Sequence, residues 1–200
     1  MDDAALPAHL PEVAPGEMRD RIARHDWAAS PLGARQDWPQ VLEVLVDLIL
    51  TSSQPMFIVW GPARTTLYND AYAEILAAKH PALGEPFEEI WHEIWEQDLR
   101  PIVKRAYDGK PLHMDDIPLL MMRKGYPEET HFSFSYTPVR GHDGEVAGFL
   151  CPCPEITEQV LDERRSRPRM EVTESLRAIA APVDLGTPAA QPVAQPPAAR

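Results

Sequence analysis

The chain has 200 residues, 44% hydrophobic and 25% charged, a globular composition with room for one ordinary domain and its tails. Nineteen lysines and arginines stand against 31 acidic residues, a formal charge of −12, which argues against a nucleic-acid or anionic-membrane partner because neutralising phosphates takes clustered cations. Cys151 and Cys153 are too few for a disulfide framework or a four-ligand zinc site, and the most apolar window, 41–50, holds Glu43 and Asp47 and is too short to span a membrane.

In chain order, residues 1–15 carry Pro7, Pro11 and Pro15 without periodicity and read as a flexible arm. Glu17–His25 has helical spacing, and SPLG (30–33) is a turn. Trp38-Pro39 opens a second helix, with proline in the tolerated first turn. From Val41 to Leu50 that helix is apolar on most faces, so it must pack against something. MFIVW (56–60) and TTLY (65–68) flank a Gly-Pro turn as a hairpin does, and Asn69 caps a helix whose inner face is Tyr72, Ile75 and Leu76. Residues 85–97 are acidic with apolar positions at helical spacing. Asp98 is expected to cap the helix ending at Asp108-Gly109.

The remainder reads as strands. LHMDDIPLLMM (112–122) is one. In THFSFSYTPV (130–139), Phe132, Phe134 and Tyr136 alternate with Ser133, Ser135 and Thr137. An Asp143-Gly144 turn leads to VAGFLCPC (146–153), and a helix begins in EITEQVLDERR (155–165). Two strands, a block of helices, then three strands is an α+β order with an antiparallel sheet. Residues 182–200, PVDLGTPAAQPVAQPPAAR, cannot bury enough apolar surface to order themselves.

Three stretches in this order resemble a PAS domain, a sensory and interaction module of bacterial signalling: VWGPARTTLYNDAYAEIL, FSFSYTPVRGHDGEVAGFLC, and PEITEQVLDERR, which is similar to the family's Asp-Ile-Thr-Glu output linker with Glu155 in place of the Asp. The segments MRDRIARHDWAASPLGARQDWPQVL, LYNDAY and GYPEETHFSFSYTP are similar to the amino-terminal PAS of soluble proteobacterial hybrid histidine kinases. The resemblance implies a PAS fold: a five-stranded antiparallel sheet with helices on one face, an N-terminal helical extension and a C-terminal exit helix. It covers about 16–167, with the PAS domain and its helical cap at 16–154 and the exit helix at 155–167; composition adds the flexible arm at 1–15 and a Pro/Ala-rich, largely disordered tail at 168–200. Nothing after Pro168 resembles a phosphoacceptor helix or an ATP-binding domain, so the expectation is a stand-alone PAS protein.

The function implied is a non-catalytic sensory or regulatory protein of a two-component system. It would act by contact on a histidine kinase or similar signalling partner, with a small-molecule ligand as a candidate gate and a homodimer as a candidate assembly. It would be cytoplasmic, recruited to a cell pole by its partner, with no nucleic-acid partner and no membrane insertion. Phe57, Tyr68, Phe132, Phe134, Tyr136 and Leu150 are the candidate pocket, against the plainer reading that they fill the core. Glu155, Ile156, Thr157 and Glu158 are the candidate output residues, Thr157 as a helix cap. No cofactor or metal is expected: neither cysteine lies on a helix as the flavin-type motif requires, and no histidine lies on the 98–108 helix to ligate haem. The alternatives held open are a haem- or flavin-bearing sensor and a small enzyme. Asp115-Asp116 read as a solvated edge whose side chains diverge, and the acidic run 85–98 as a solvated helical face.

Overall fold

A computed structural model describes residues 16–166. The expected arm at 1–15 and the tail at 168–200 lie outside the described residues. The helices are α1 (Glu17–Arg24), α2 (Gln40–Thr51), α3 (Asp70–Leu76), α4 (Phe87–Ile90), α5 (His92–Ile94) and α6 (Arg100–Tyr107). The strands are β1 (Met56–Trp60), β2 (Thr65–Tyr68), β3 (Leu112–Met121), β4 (Glu128–Arg140) and β5 (Val146–Pro152). They form one antiparallel sheet in the order β2-β1-β5-β4-β3, so the last strand is the central one.

The run MFIVW is apolar throughout because β1 is covered on both faces. Phe57 and Val59 enter the core shared with α3–α6, while Ile58 and Trp60 join Leu42, Val46 and Ile49 of α2 on the opposite face. Leu42, Val46 and Ile49 recur at i, i+4 and i+7, which is the stripe a helix lays on a sheet. Two tryptophans close the loop between α1 and α2. Trp27 Nε1 donates to the Ile22 carbonyl at 2.8 Å and Trp38 Nε1 to the Gly33 carbonyl at 3.1 Å.

Asn69 fixes where three elements meet. Its Oδ1 accepts from the Tyr72 and Met56 amides, both at 3.0 Å, and its Nδ2 faces the Ile49, Ser52 and Gln54 carbonyls at 2.7–3.1 Å. The helix expected from Asp98 starts instead at Arg100, after a π-helical turn over Trp95–Leu99. The apolar spacing requires that turn. Ile94 and Leu99, both buried, are five residues apart, the i to i+5 period of a π turn, whereas Leu99 and Val103 keep the α period.

The chain divides into two units between Val160 and Leu161. In the first, residues 157–160 start a helix after the sheet. In the second, the described residues 161–166 are helical, with Arg165 paired to Asp162 at 3.1 Å.

Candidate functional site

Between the sheet and α3–α6 lies a cavity of about 30 Å³, lined among others by Phe57, Tyr72, Phe132, Phe134, Tyr136 and Cys153. Four of the six residues expected at a pocket are there. Tyr68 belongs to the same core but does not line the cavity: its hydroxyl accepts from the Ala82 amide at 2.9 Å and hydrogen-bonds His80 Nδ1 at 2.9 Å. Leu150 is on the other face, packed with the α2 cluster, because side chains alternate along β5 and its neighbours Phe149 and Cys151 point inward. Tyr72 and Cys153 also line the cavity. The Asn69 cap turns Tyr72 onto the inner face of α3, where its hydroxyl accepts from Trp91 Nε1 at 3.1 Å.

The chemistry of this core is that of neutral groups. Burial pushes the Tyr72 and Tyr136 phenols well above the usual range, and the neighbouring Cys151 and Cys153 add to it. Burial first, then its hydrogen bond with Cys153, pushes the Cys151 thiol up, so it is held as a thiol, not as a nucleophilic thiolate. The cavity holds little more than a water-sized molecule, against several hundred Å³ for an ordinary ligand pocket. Among the described residues, no group of three or more His, Cys, Asp and Glu is placed to hold a metal ion.

The second region is the linker that leaves β5. Residues 154–156 run beside β4: the Ser133 amide donates to the Pro154 carbonyl at 3.1 Å, and the Ile156 amide to the His131 carbonyl at 2.8 Å. Arg123, in the β3–β4 turn and only 4% exposed, holds the start of the linker. Its Nη1 and Nη2 reach Glu155 at 2.7 and 2.9 Å, its Nε pairs with Glu128, and Nη1 also reaches the Ile75 carbonyl at the end of α3 at 3.2 Å. Burial would depress the guanidinium, but Glu155 and Glu128 outweigh it and raise its proton affinity. Burial pushes Glu128 up, yet hydrogen bonds from Arg123 and Lys124 hold it below the usual carboxylate range.

Thr157, expected to cap the exit helix, is turned to the sheet instead. Its Oγ1 accepts from the His131 amide at 2.9 Å and donates to Glu155 Oε1 at 2.8 Å. Glu158 is exposed. Arg123 escapes a reading of the sequence because a basic residue in a polar hairpin turn is normally solvated, and its main partner lies 32 residues away.

Two further expectations are corrected. The β-bulge between Met114 and Ile117, both of which pack on the core, sets Asp115 and Asp116 on the same outer face of β3, so they do not diverge as expected. Asp115 meets His113 Nε2 at 2.8 Å and Asp116 meets His131 Nδ1 at 2.6 Å. The acidic run 85–98 is not wholly a solvated face: Glu88 pairs with Arg64, and Glu93 with Lys79 at 2.8 Å.

Residues 50–161, more than half of the chain, match the family model described as the PAS fold. The chain belongs to the PAS family. The PAS domain of Bordetella pertussis BvgS superposes with a TM-score of 0.50 at 20% identity, over 66% of this chain and 98% of that one. An RNA-binding Light-Oxygen-Voltage receptor gives 0.48 at 17% identity over 72% of this chain, which spans only 41% of the receptor. A sensory box sensor histidine kinase from Vibrio cholerae gives 0.40 at 12% identity, over 58% and 89%. These likenesses are of fold. No curated protein matches the chain. Among the described residues no helix is long and apolar enough to cross a membrane.

Proposed function

We propose that this PAS domain is a non-catalytic sensory or regulatory module that acts by contact on a histidine kinase or a related signalling protein, with residues 154–158 as its output. The observation that supports this reading is the Arg123 clamp. One buried guanidinium joins the linker at Glu155, the β3–β4 turn at Glu128 and the end of α3 at the Ile75 carbonyl. Ile75 also lines the core cavity, so a change among the core helices reaches the linker through a single side chain. A small ligand enters this core only by moving those helices apart, and such a movement is what the clamp would report.

The test is a double substitution, Thr157→Ala with Glu158→Lys, in the full chain. Glu158 packs against nothing in the core, and loss of the Thr157 hydroxyl removes hydrogen bonds each worth about 1 kcal/mol. The melting temperature should stay within a few degrees of wild type. A pull-down with the wild-type chain, read by mass spectrometry, should recover a histidine kinase or related signalling protein, and the activity of that partner should respond differently to the double variant. Wild-type values for both would remove the linker as the output.

A further inference from the structure

His131 is 1% exposed, yet its ring lies between two carboxylates: Asp116 Oδ1 is 2.6 Å from Nδ1 and Glu129 Oε1 is 2.9 Å from Nε2. An ionised carboxylate accepts hydrogen bonds and donates none, so this arrangement calls for a proton on each ring nitrogen. The Asp116 and Glu129 side chains are about half exposed, whereas the imidazole between them is shut off from water. The backbone of the same residue carries the linker on both sides. Its amide donates to Thr157 Oγ1 at 2.9 Å and its carbonyl accepts from the Ile156 amide at 2.8 Å.

We propose that His131 makes the seating of the output linker on β4 dependent on pH, its doubly protonated ring favouring the seated linker and loss of one proton loosening it. A neutral ring leaves a nitrogen lone pair facing a carboxylate oxygen at hydrogen-bond distance. That repulsion is relieved by swinging a half-exposed carboxylate away or by moving the ring and the strand that carries it, and where the strand moves both linker hydrogen bonds move with it. Among the described residues, the carboxylates at hydrogen-bond distance from the ring are Asp116 from β3 and Glu129 from its own strand. From the linker, Glu155 is compensated by Arg123, and Thr157 brings only a hydroxyl. Farther along β3, Asp115 is engaged with His113. The seated linker favours the bound proton, so seating is complete at lower pH and is lost as the pH rises through the His131 transition. Reciprocally, releasing the linker lowers the proton affinity of the ring.

The proposal deepens the reading of the linker as output, but its test does not use a partner. In the full chain labelled with ¹⁵N, the imidazole nitrogens of His131 and the exchange rate of the Ile156 amide are followed by NMR across the pH range. Both nitrogens should still be protonated at about pH 7, where a free imidazole has largely lost its second proton. Ile156 protection should fall by about tenfold as that proton leaves, the factor that corresponds to one pH unit of altered affinity. In Asp116→Asn, which preserves shape and removes one charge, the step in Ile156 protection should vanish or move to lower pH. A single protonated nitrogen at neutral pH, equal Ile156 protection on both sides of the transition, or an unchanged step in Asp116→Asn would each overturn the proposal. A linker that loosens with pH while the kinase response stays constant would sink the output reading and leave this one standing.

Discussion

Arg123 carries the largest single-residue consequence. Replacing it with Gln leaves Glu155 and Glu128 without their counter-charge in a half-buried corner, and should cost about 3 kcal/mol in urea unfolding, as for other broken buried pairs. The pH dependence has a definite sign. The folded-state pKa of Glu128 is held down, so the stability it contributes is present above the ordinary carboxylate range and is lost as the pH falls through its depressed value. Melting temperatures measured from neutral to acid pH should therefore drop more steeply in wild type than in Arg123→Gln. Phe134 and Ser135 give a cleaner contrast. Phe134→Ala empties a place in the aromatic core and should destabilise by roughly 3–5 kcal/mol, whereas Ser135→Ala should stay within about 0.5 kcal/mol. Equal losses would mean the register of β4 is wrong. Phe132, Phe134 and Tyr136 were legible in the sequence because strict alternation reports burial directly. Asp116 was not, since the bulge that aims it at His131 shows in the sequence only as two consecutive polar residues between Met114 and Ile117, which a regular strand would send to opposite faces.

Local patterns located the elements wherever they ended on a strong signal. The first hairpin falls at 56–60 and 65–68 as read, because Gly61-Pro62 and the Asn69 cap bound it on both sides. The helix before Asp108-Gly109 was placed two residues early at its start, because a π turn has no composition of its own and shows only as the five-residue gap from Ile94 to Leu99. Asn69 is more than a cap. Asn69→Ala would strip partners from carbonyls at the end of α2 and from the first amides of β1 and α3, and should lower stability by about 3 kcal/mol in thermal or urea unfolding. On α2 the two faces differ in kind. Leu42→Ala should cost about 2–5 kcal/mol, while Leu48→Ala, on the 44%-exposed outer side, should cost less than about 1 kcal/mol. A similar loss at both positions would show that the outer stripe is covered in solution.

At the scale of the whole molecule, α+β order and strand count were readable, but the packing of α2 across the second face of the sheet was not. The sequence said only that the 39–51 helix needed a partner, and amphipathicity does not say which surface supplies it. The small core cavity bears on cofactors. An absorption spectrum of the natively purified protein should show no band beyond the aromatic one, since about 30 Å³ accommodates neither a flavin nor a haem. A stoichiometric visible band would mean that the core opens far wider than its packing implies. The strand order has a different consequence, for how the chain assembles. β5 is synthesised last yet lies in the middle, pairing with β1 on one side and β4 on the other. Until it arrives, β1–β2 and β3–β4 are two separate hairpins, each presenting an open row of amides and carbonyls where β5 belongs. These distant pairings put assembly in the slow range typical of non-local sheets, milliseconds to seconds and not microseconds. A nascent or truncated chain that stops before Val146 would hold two sticky ribbons in place of a sheet, and its expected fate is capture by foreign strands and aggregation.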